Sequence, residues 1–105
     1  MCGITGVYAF SDTGRSALAN LQAATDAIVR RGPDSQGHFV YDQCGLGFRR
    51  LAILDLSADG NQPMTDASGR YTIVFNGEIF NYASCVPSCS KKAISFIRRL
   101  ILRLF

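Results

Sequence analysis

Met1-Cys2-Gly3-Ile4-Thr5-Gly6 opens the chain, and its reading decides the rest. Removal of Met1, which the small residue behind it permits, would leave Cys2 carrying both a thiol and a free α-amino group. An ordinary α-amine titrates near pH ~8 and an ordinary thiol near ~8.5, so at neutral pH some of the amine is free base. An N-terminal amine of this kind can activate its own side chain as a nucleophile without a histidine. Cysteine at position 2 is also a common accident, and Cys2 alone carries little weight. Residues 3–10 are rich in β-branched and aromatic side chains and predict a strand, which would fix Cys2 at one end of a sheet.

Composition bounds what such a residue can serve. The chain has 105 residues, room for one small domain, with 48% hydrophobic residues. No run of about 18 apolar residues is present, which argues against a transmembrane helix. The N-terminus lacks a basic segment followed by an apolar core, so a cytoplasmic location is expected. The four cysteines, Cys2, Cys44, Cys85 and Cys89, are then expected to be reduced thiols. The net charge of +3 is divided: residues 1–82 hold eight acids and six arginines, a net of −2, whereas residues 83–105 hold five basic residues and no acid. This is an acidic domain with a basic tail, not a nucleic-acid binder.

Downstream, residues 11–14 read as turn and cap. Residues 15–30 place Ala17, Leu18, Leu21, Ala24, Ile28 and Val29 at helical spacing, with Leu18, Leu21 and Ile28 expected in the core. Gly32 lies just past the predicted helix end. Arg31-Gly32-Pro33-Asp34 makes a stiff turn. Strands are predicted over 38–42 and 45–56. His38, the only histidine, has no metal-binding or dyad partner and suits an edge strand. An arginine in the poorly alternating run 48–57 reads equally as an ion-paired side chain at the core edge or as a guanidinium fork for a substrate carboxylate. Residues 57–69 read as a polar loop punctuated by Asp59-Gly60 and Gln62-Pro63, and 71–75 as a strand. Asn76-Gly77 behind it is either a plain hairpin turn or a pair of amide donors for an oxyanion, with Glu78 able to hold an ammonium.

Taken together, Met1-Cys2-Gly3-Ile4, Arg31-Gly32-Pro33-Asp34, Arg50-Leu51-Ala52-Ile53-Leu54-Asp55 and Asn76-Gly77-Glu78-Ile79-Phe80-Asn81 resemble the class II glutamine amidotransferase domain, the glutaminase half of glutamine-hydrolysing asparagine synthetases. The resemblance covers residues 1–82. It implies an α+β fold of the N-terminal-nucleophile hydrolase type, a sandwich of antiparallel sheets with helical layers, of which only the N-terminal part is present. It also implies a reaction: Cys2 attacks the side-chain amide of glutamine, a γ-glutamyl thioester and ammonia form, and water releases glutamate. On this resemblance Asn76 (side chain) and Gly77 (backbone N–H) form the oxyanion hole. Arg50 binds the α-carboxylate, Glu78 helps hold the α-amine, and Leu51 and Ile53 line the pocket with backbone. No cofactor or metal is implied for this half; ATP and magnesium belong to a synthetase domain or subunit, which would use the ammonia to amidate aspartate.

The sequence also departs from the family. Phe48 precedes Arg49 where histidine is frequent, and Phe80 replaces a frequent tyrosine. After Tyr82 nothing matches the expected acidic helix or the later loop that supplies a further ammonium ligand. This predicts a partial, poorly folding and inactive fragment with unpaired sheet edges. Residues 83–90 read as loop, and Cys85-x3-Cys89 is a poor metal site. From Lys91 on, Ala93, Ile94, Ile97, Leu100, Ile101 and Leu104 share one helical face opposite basic residues. The acid-free tail reads as a frameshift or truncated reading frame; the alternative is a non-catalytic chain whose basic helix binds a membrane or a partner.

Overall fold

The computed structural model describes residues 1–53, 56–81, 83–85 and 87. Three antiparallel strands carry the architecture: β1 (Gly3–Tyr8), β2 (Ser35–Tyr41) and β3 (Cys44–Arg50), in the spatial order β1-β3-β2. Gly3 faces Arg49 and Tyr8 faces Cys44 on one side of β3; Ser35 faces Arg50 and Tyr41 faces Cys44 on the other. His38 therefore lies on an edge strand. A second, two-stranded sheet pairs β4 (Met64–Thr65) with β5 (Thr72–Ile73). The chain is thus an α+β arrangement of antiparallel sheets and helix.

The helical segment between β1 and β2 is more broken than its apolar spacing predicts. Helix α1 (Asp12–Arg15) is capped by Ser11, whose Oγ accepts the Gly14 N–H at 3.1 Å. A 3-10 stretch, Ser16–Asn20, follows, then α2 (Leu21–Ala27) and a final 3-10 turn, Val29–Arg31. Ser16 Oγ donates to the Thr13 carbonyl at 2.7 Å, the local side-chain bonding that competes with a continuous helix. Of the three expected core residues Leu21 is buried, and Leu18 and Ile28 are half-buried.

Helix α2 reaches β3 because two glycines clear its path. A Cβ on Gly45 would press on Leu18 and Leu21, and one on Gly47 would collide with the hydroxyls of Thr25 and Thr5. Thr25 is fully buried and polar. Its single hydroxyl proton goes to the Leu21 carbonyl at 2.8 Å, so Thr5 donates across the 2.7 Å contact between the two hydroxyls. Arg49 closes the layer, with Nε on the Thr25 carbonyl at 3.2 Å and Nη2 on Asp26 at 2.5 Å. Every buried polar group there has a partner, the condition for a polar layer to be tolerated.

Two strand expectations are corrected. The strand expected over 45–56 ends at Arg50, because β1 and β2 offer no partner beyond the rungs at Arg49 and Arg50. Leu51 and Ala52 instead run beside Asp34: the Asp34 N–H donates to the Arg50 carbonyl at 3.0 Å, and its carboxylate accepts the Ala52 N–H at 2.7 Å. The strand expected over 71–75 is paired only at Thr72 and Ile73, and the polar loop 57–69 holds both its partner β4 and a 3-10 turn, Ala58–Gly60. Residues 83–85 are helical, with Ser84 and Cys85 N–H groups on the Asn81 carbonyl, where a loop was expected. Leu54, Asp55, Cys89 and the amphipathic stretch 91–105 lie outside the described residues. Among those described, no helix is long and apolar enough to cross a membrane.

The β4–β5 turn is built on Asp66. Its carboxylate accepts from the Ser68 hydroxyl at 2.5 Å, the Ser68 N–H at 3.3 Å and the Tyr71 N–H at 3.0 Å, while Gly69 takes a left-handed φ of 72°. The Ser68 hydroxyl, followed by the Tyr71 N–H, holds the Asp66 pKa below its ordinary 3.8. A depressed carboxylate stabilises the fold above the unfolded pKa and loses that contribution as pH falls through the folded one. An NMR titration is therefore expected to place the Asp66 midpoint below 3.8 and to return it toward 3.8 in Ser68→Ala. A wild-type midpoint at or above 3.8 contradicts the bonding described.

Candidate functional site

Cys2 sits one residue before β1, directly beside the exit of β3. Its Sγ accepts the Leu51 N–H at 3.4 Å and lies 3.8 Å from the Leu51 carbonyl oxygen, toward which the thiol can donate. A thiolate formed there would keep the N–H donor. The Cys2 carbonyl oxygen is held from two further directions, by Asn76 Nδ2 at 3.1 Å and Arg31 Nε at 3.2 Å. Three separate parts of the sequence thus fix one half-buried residue.

The Arg31-Gly32-Pro33-Asp34 turn is what aims the β3 exit at the thiol. Gly32 packs on the backbone of Arg49 and Arg50, where a Cβ would overlap the Arg49 carbonyl group and lie 2.6 Å from the Arg50 nitrogen. Asp34 then latches residues 50 and 52 as described. The sequence reading treated this motif as a stiff turn within a resemblance; its mechanical part, placing Leu51 N–H on Cys2, became visible only in three dimensions.

Arg50 is 8% exposed at the end of β3. Its Nη1 donates to the Ser57 carbonyl at 2.5 Å and to Asn61 Oδ1 at 3.0 Å, and its guanidinium lies over Gly60, where any side chain would displace it. The side chain is anchored at the core edge and lines a cavity.

That cavity, about 310 Å³ in volume, is lined by all seven site residues that the resemblance implies: Cys2, Arg50, Leu51, Ile53, Asn76, Gly77 and Glu78. Ile53 is 71% exposed at its mouth, and Asn76, Gly77 and Glu78 are exposed along one rim. Met1 lines the cavity beside Cys2. Phe48, 1% exposed, and Phe75 give it an apolar wall.

Gln62 also lines the cavity, and sequence reading passed over it as loop punctuation. A glutamine directly before a proline and between two predicted strands was the available signal. One anchored cation, one carboxylate, an amide turn and a thiol converging on an open cavity can hold a small zwitterion against a nucleophile.

The sequence profile of the glutamine amidotransferase domain family matches residues 1–98. The match continues past Tyr82, beyond the stretch that carried the resemblance in the sequence. Among curated relatives, glutamine-hydrolyzing asparagine synthetase 1 of Bacillus subtilis (strain 168) is 38% identical over 98 residues, covering 91% of this chain and 15% of the relative. Glutamine-hydrolyzing asparagine synthetase 2 of the same organism is 38% identical over 84 residues, 78% of this chain and 11% of the relative. Amidase chry2 of Gibberella zeae is 39% identical over 93 residues, 78% of this chain and 14% of the relative. The chain thus spans no more than 15% of the length of these relatives. With the profile matched over most of its length, the chain belongs to the glutamine amidotransferase domain family.

Proposed function

We propose that the Cys2 cavity is a glutaminase site. With Met1 removed, the free α-amine of Cys2 takes the thiol proton as Sγ bonds to the side-chain amide carbon of glutamine. The carbonyl oxygen becomes an oxyanion. Asn76 has two N–H donors; one already holds the Cys2 carbonyl, and the other, with the Gly77 N–H, would take the oxyanion. Collapse breaks the C–N bond, and the proton on the amine leaves with ammonia. Water then cleaves the γ-glutamyl thioester, giving glutamate and restoring the thiol.

Substrate orientation follows from charge. Arg50 would take the α-carboxylate and Glu78 the α-ammonium, with Leu51 and Ile53 presenting backbone along the side chain. The observation that carries this reading is the Leu51 N–H on Cys2 Sγ at 3.4 Å, inside a cavity shared with all of these groups. Ammonia would be consumed by a synthetase domain or subunit that amidates aspartate to asparagine, using ATP and magnesium bound in that unit. The full N-terminal-nucleophile sandwich belongs to the same proposal. The 105 residues alone are expected to turn over weakly or not at all, so a single-event reaction is the sharper test.

That test is intact-protein mass after incubation with a diazo-ketone analogue of glutamine. One adduct is expected, mapped to a Met1-less Cys2 and suppressed by excess glutamine. No adduct on a correctly processed N-terminus would sink the proposal.

A further inference from the structure

We infer that Gln62 is a positioning residue for the Asn76-Gly77 turn, acting as a side-chain substitute for a missing strand rung. This inference rests on the glutaminase reading for its functional meaning, and on the following geometry for its structural content.

In the second sheet Thr65 faces Thr72 and Met64 faces Ile73. Continuing that antiparallel register sets Pro63 against Val74 and Gln62 against Phe75. Proline has no N–H to give a ladder, and the pairing ends there. At the next rung the Gln62 side chain does what backbone would have done: Nε2 donates to the Phe75 carbonyl at 3.1 Å, and Oε1 accepts the Phe75 N–H at 2.5 Å. Both polar groups of one backbone residue are satisfied by one amide, which matches a peptide group in donor, acceptor and planarity.

Gln62 is itself held. It is 4% exposed, and its carbonyl oxygen lies over Gly37 of β2, where a Cβ would overlap it. A line of contact therefore runs from the main sheet at Gly37, through Gln62, to Phe75, and by one peptide bond to Asn76. Asn76 holds the Cys2 carbonyl. An exposed turn carrying two proposed oxyanion donors needs such a fixed attachment, since a displacement of about 1 Å in a catalytic group can cost on the order of a hundredfold in rate.

The experiment compares wild type, Gln62→Met and Gln62→Glu in the processed chain. It measures kinact and KI for the diazo-ketone analogue, the alkylation rate with iodoacetamide, and amide exchange at Phe75 and along β3. Gln62→Met keeps volume but not polarity. It is expected to lower kinact roughly tenfold or more with KI within about threefold. Iodoacetamide alkylation should stay within about twofold, since that reagent needs no oxyanion donors. Exchange at Phe75, whose N–H is held by the Gln62 Oε1, is expected to quicken while β3 stays protected. Gln62→Glu, which keeps the acceptor for the Phe75 N–H, should recover part of kinact.

Unchanged kinact and unchanged exchange in Gln62→Met would overturn the inference. Loss of protection throughout β3, with both reagents slowed alike, would also overturn it by showing a general structural role. Should wild type take no glutamine-protected label, the glutaminase reading fails. Exchange at Phe75 then still decides whether Gln62 holds the turn, quickening in Gln62→Met supporting it and no change refuting it.

Discussion

Cys2→Ala is expected to remove all glutamine-protected labelling and any ammonia release, while leaving the melting temperature within a few degrees of wild type. The thiol makes two weak sulfur contacts, to the Leu51 N–H and carbonyl, and Cys2 is half-buried, so its loss opens no closed core cavity. The bonds that place residue 2 come to its backbone carbonyl, from Asn76 and Arg31, and survive truncation of the side chain. No histidine, serine or other cysteine stands among the residues lining the cavity. A chain that retains Met1 should behave like Cys2→Ala in the same assay, because its α-amine is one residue removed from the thiol. Labelling that persists in Cys2→Ala would show that another group reacts, and the proposed mechanism would be wrong.

Gly32→Ala is expected to destabilise the protein by about 3 kcal/mol or more, at the upper end of overpacking costs, and to lower its melting temperature by roughly 12 °C or more. The added methyl would meet the carbonyl carbon and oxygen of Arg49 and the nitrogen of Arg50. These are backbone atoms of a central strand and cannot rotate aside. Any relief displaces the Arg50 carbonyl from Asp34 and Leu51 from the thiol, so labelling of Cys2 should fall together with stability. Gly69→Ala is the informative contrast. Gly69 has a left-handed φ of 72° but nothing within 4 Å of the added carbon, so its cost is backbone strain of about 1 kcal/mol, without loss of labelling. Equal melting temperatures for Gly32→Ala and wild type, read by circular dichroism, would rule out the packing described.

Much of the site was legible in the sequence because its chemistry is carried by residue type. A thiol at position 2, an arginine inside an apolar run and an Asn-Gly-Glu turn are each visible as letters, and the structure sets them around one cavity. Element boundaries were less legible. The strand through Leu56 was expected because apolar side chains fill 51–56, yet strand length here is fixed by where β1 and β2 run out of partners, which local sequence does not show. The helix over 15–30 rests on apolar spacing, which does not register the local bond from Ser16 to the Thr13 carbonyl. Buried Thr25 was hidden for another reason: its place in the core depends on Gly47 and Thr5, 22 and 20 positions away. The bonding of Gln62 and Asp34 is illegible for the same reason, since each acts on the backbone of a distant segment.

The separations between bonded groups also set an order of events in synthesis. The thiol meets Leu51 across 49 positions and its carbonyl meets Asn76 across 74. At a translation rate of about 5–20 residues per second, Cys2 leaves the ribosome several seconds before the turn that holds it. Until Asn76 emerges, the Cys2 carbonyl lacks one of its two side-chain donors and the cavity lacks its Asn76-Gly77-Glu78 rim. The cavity thus closes last at that rim, with the clock set by the length of chain between its two ends.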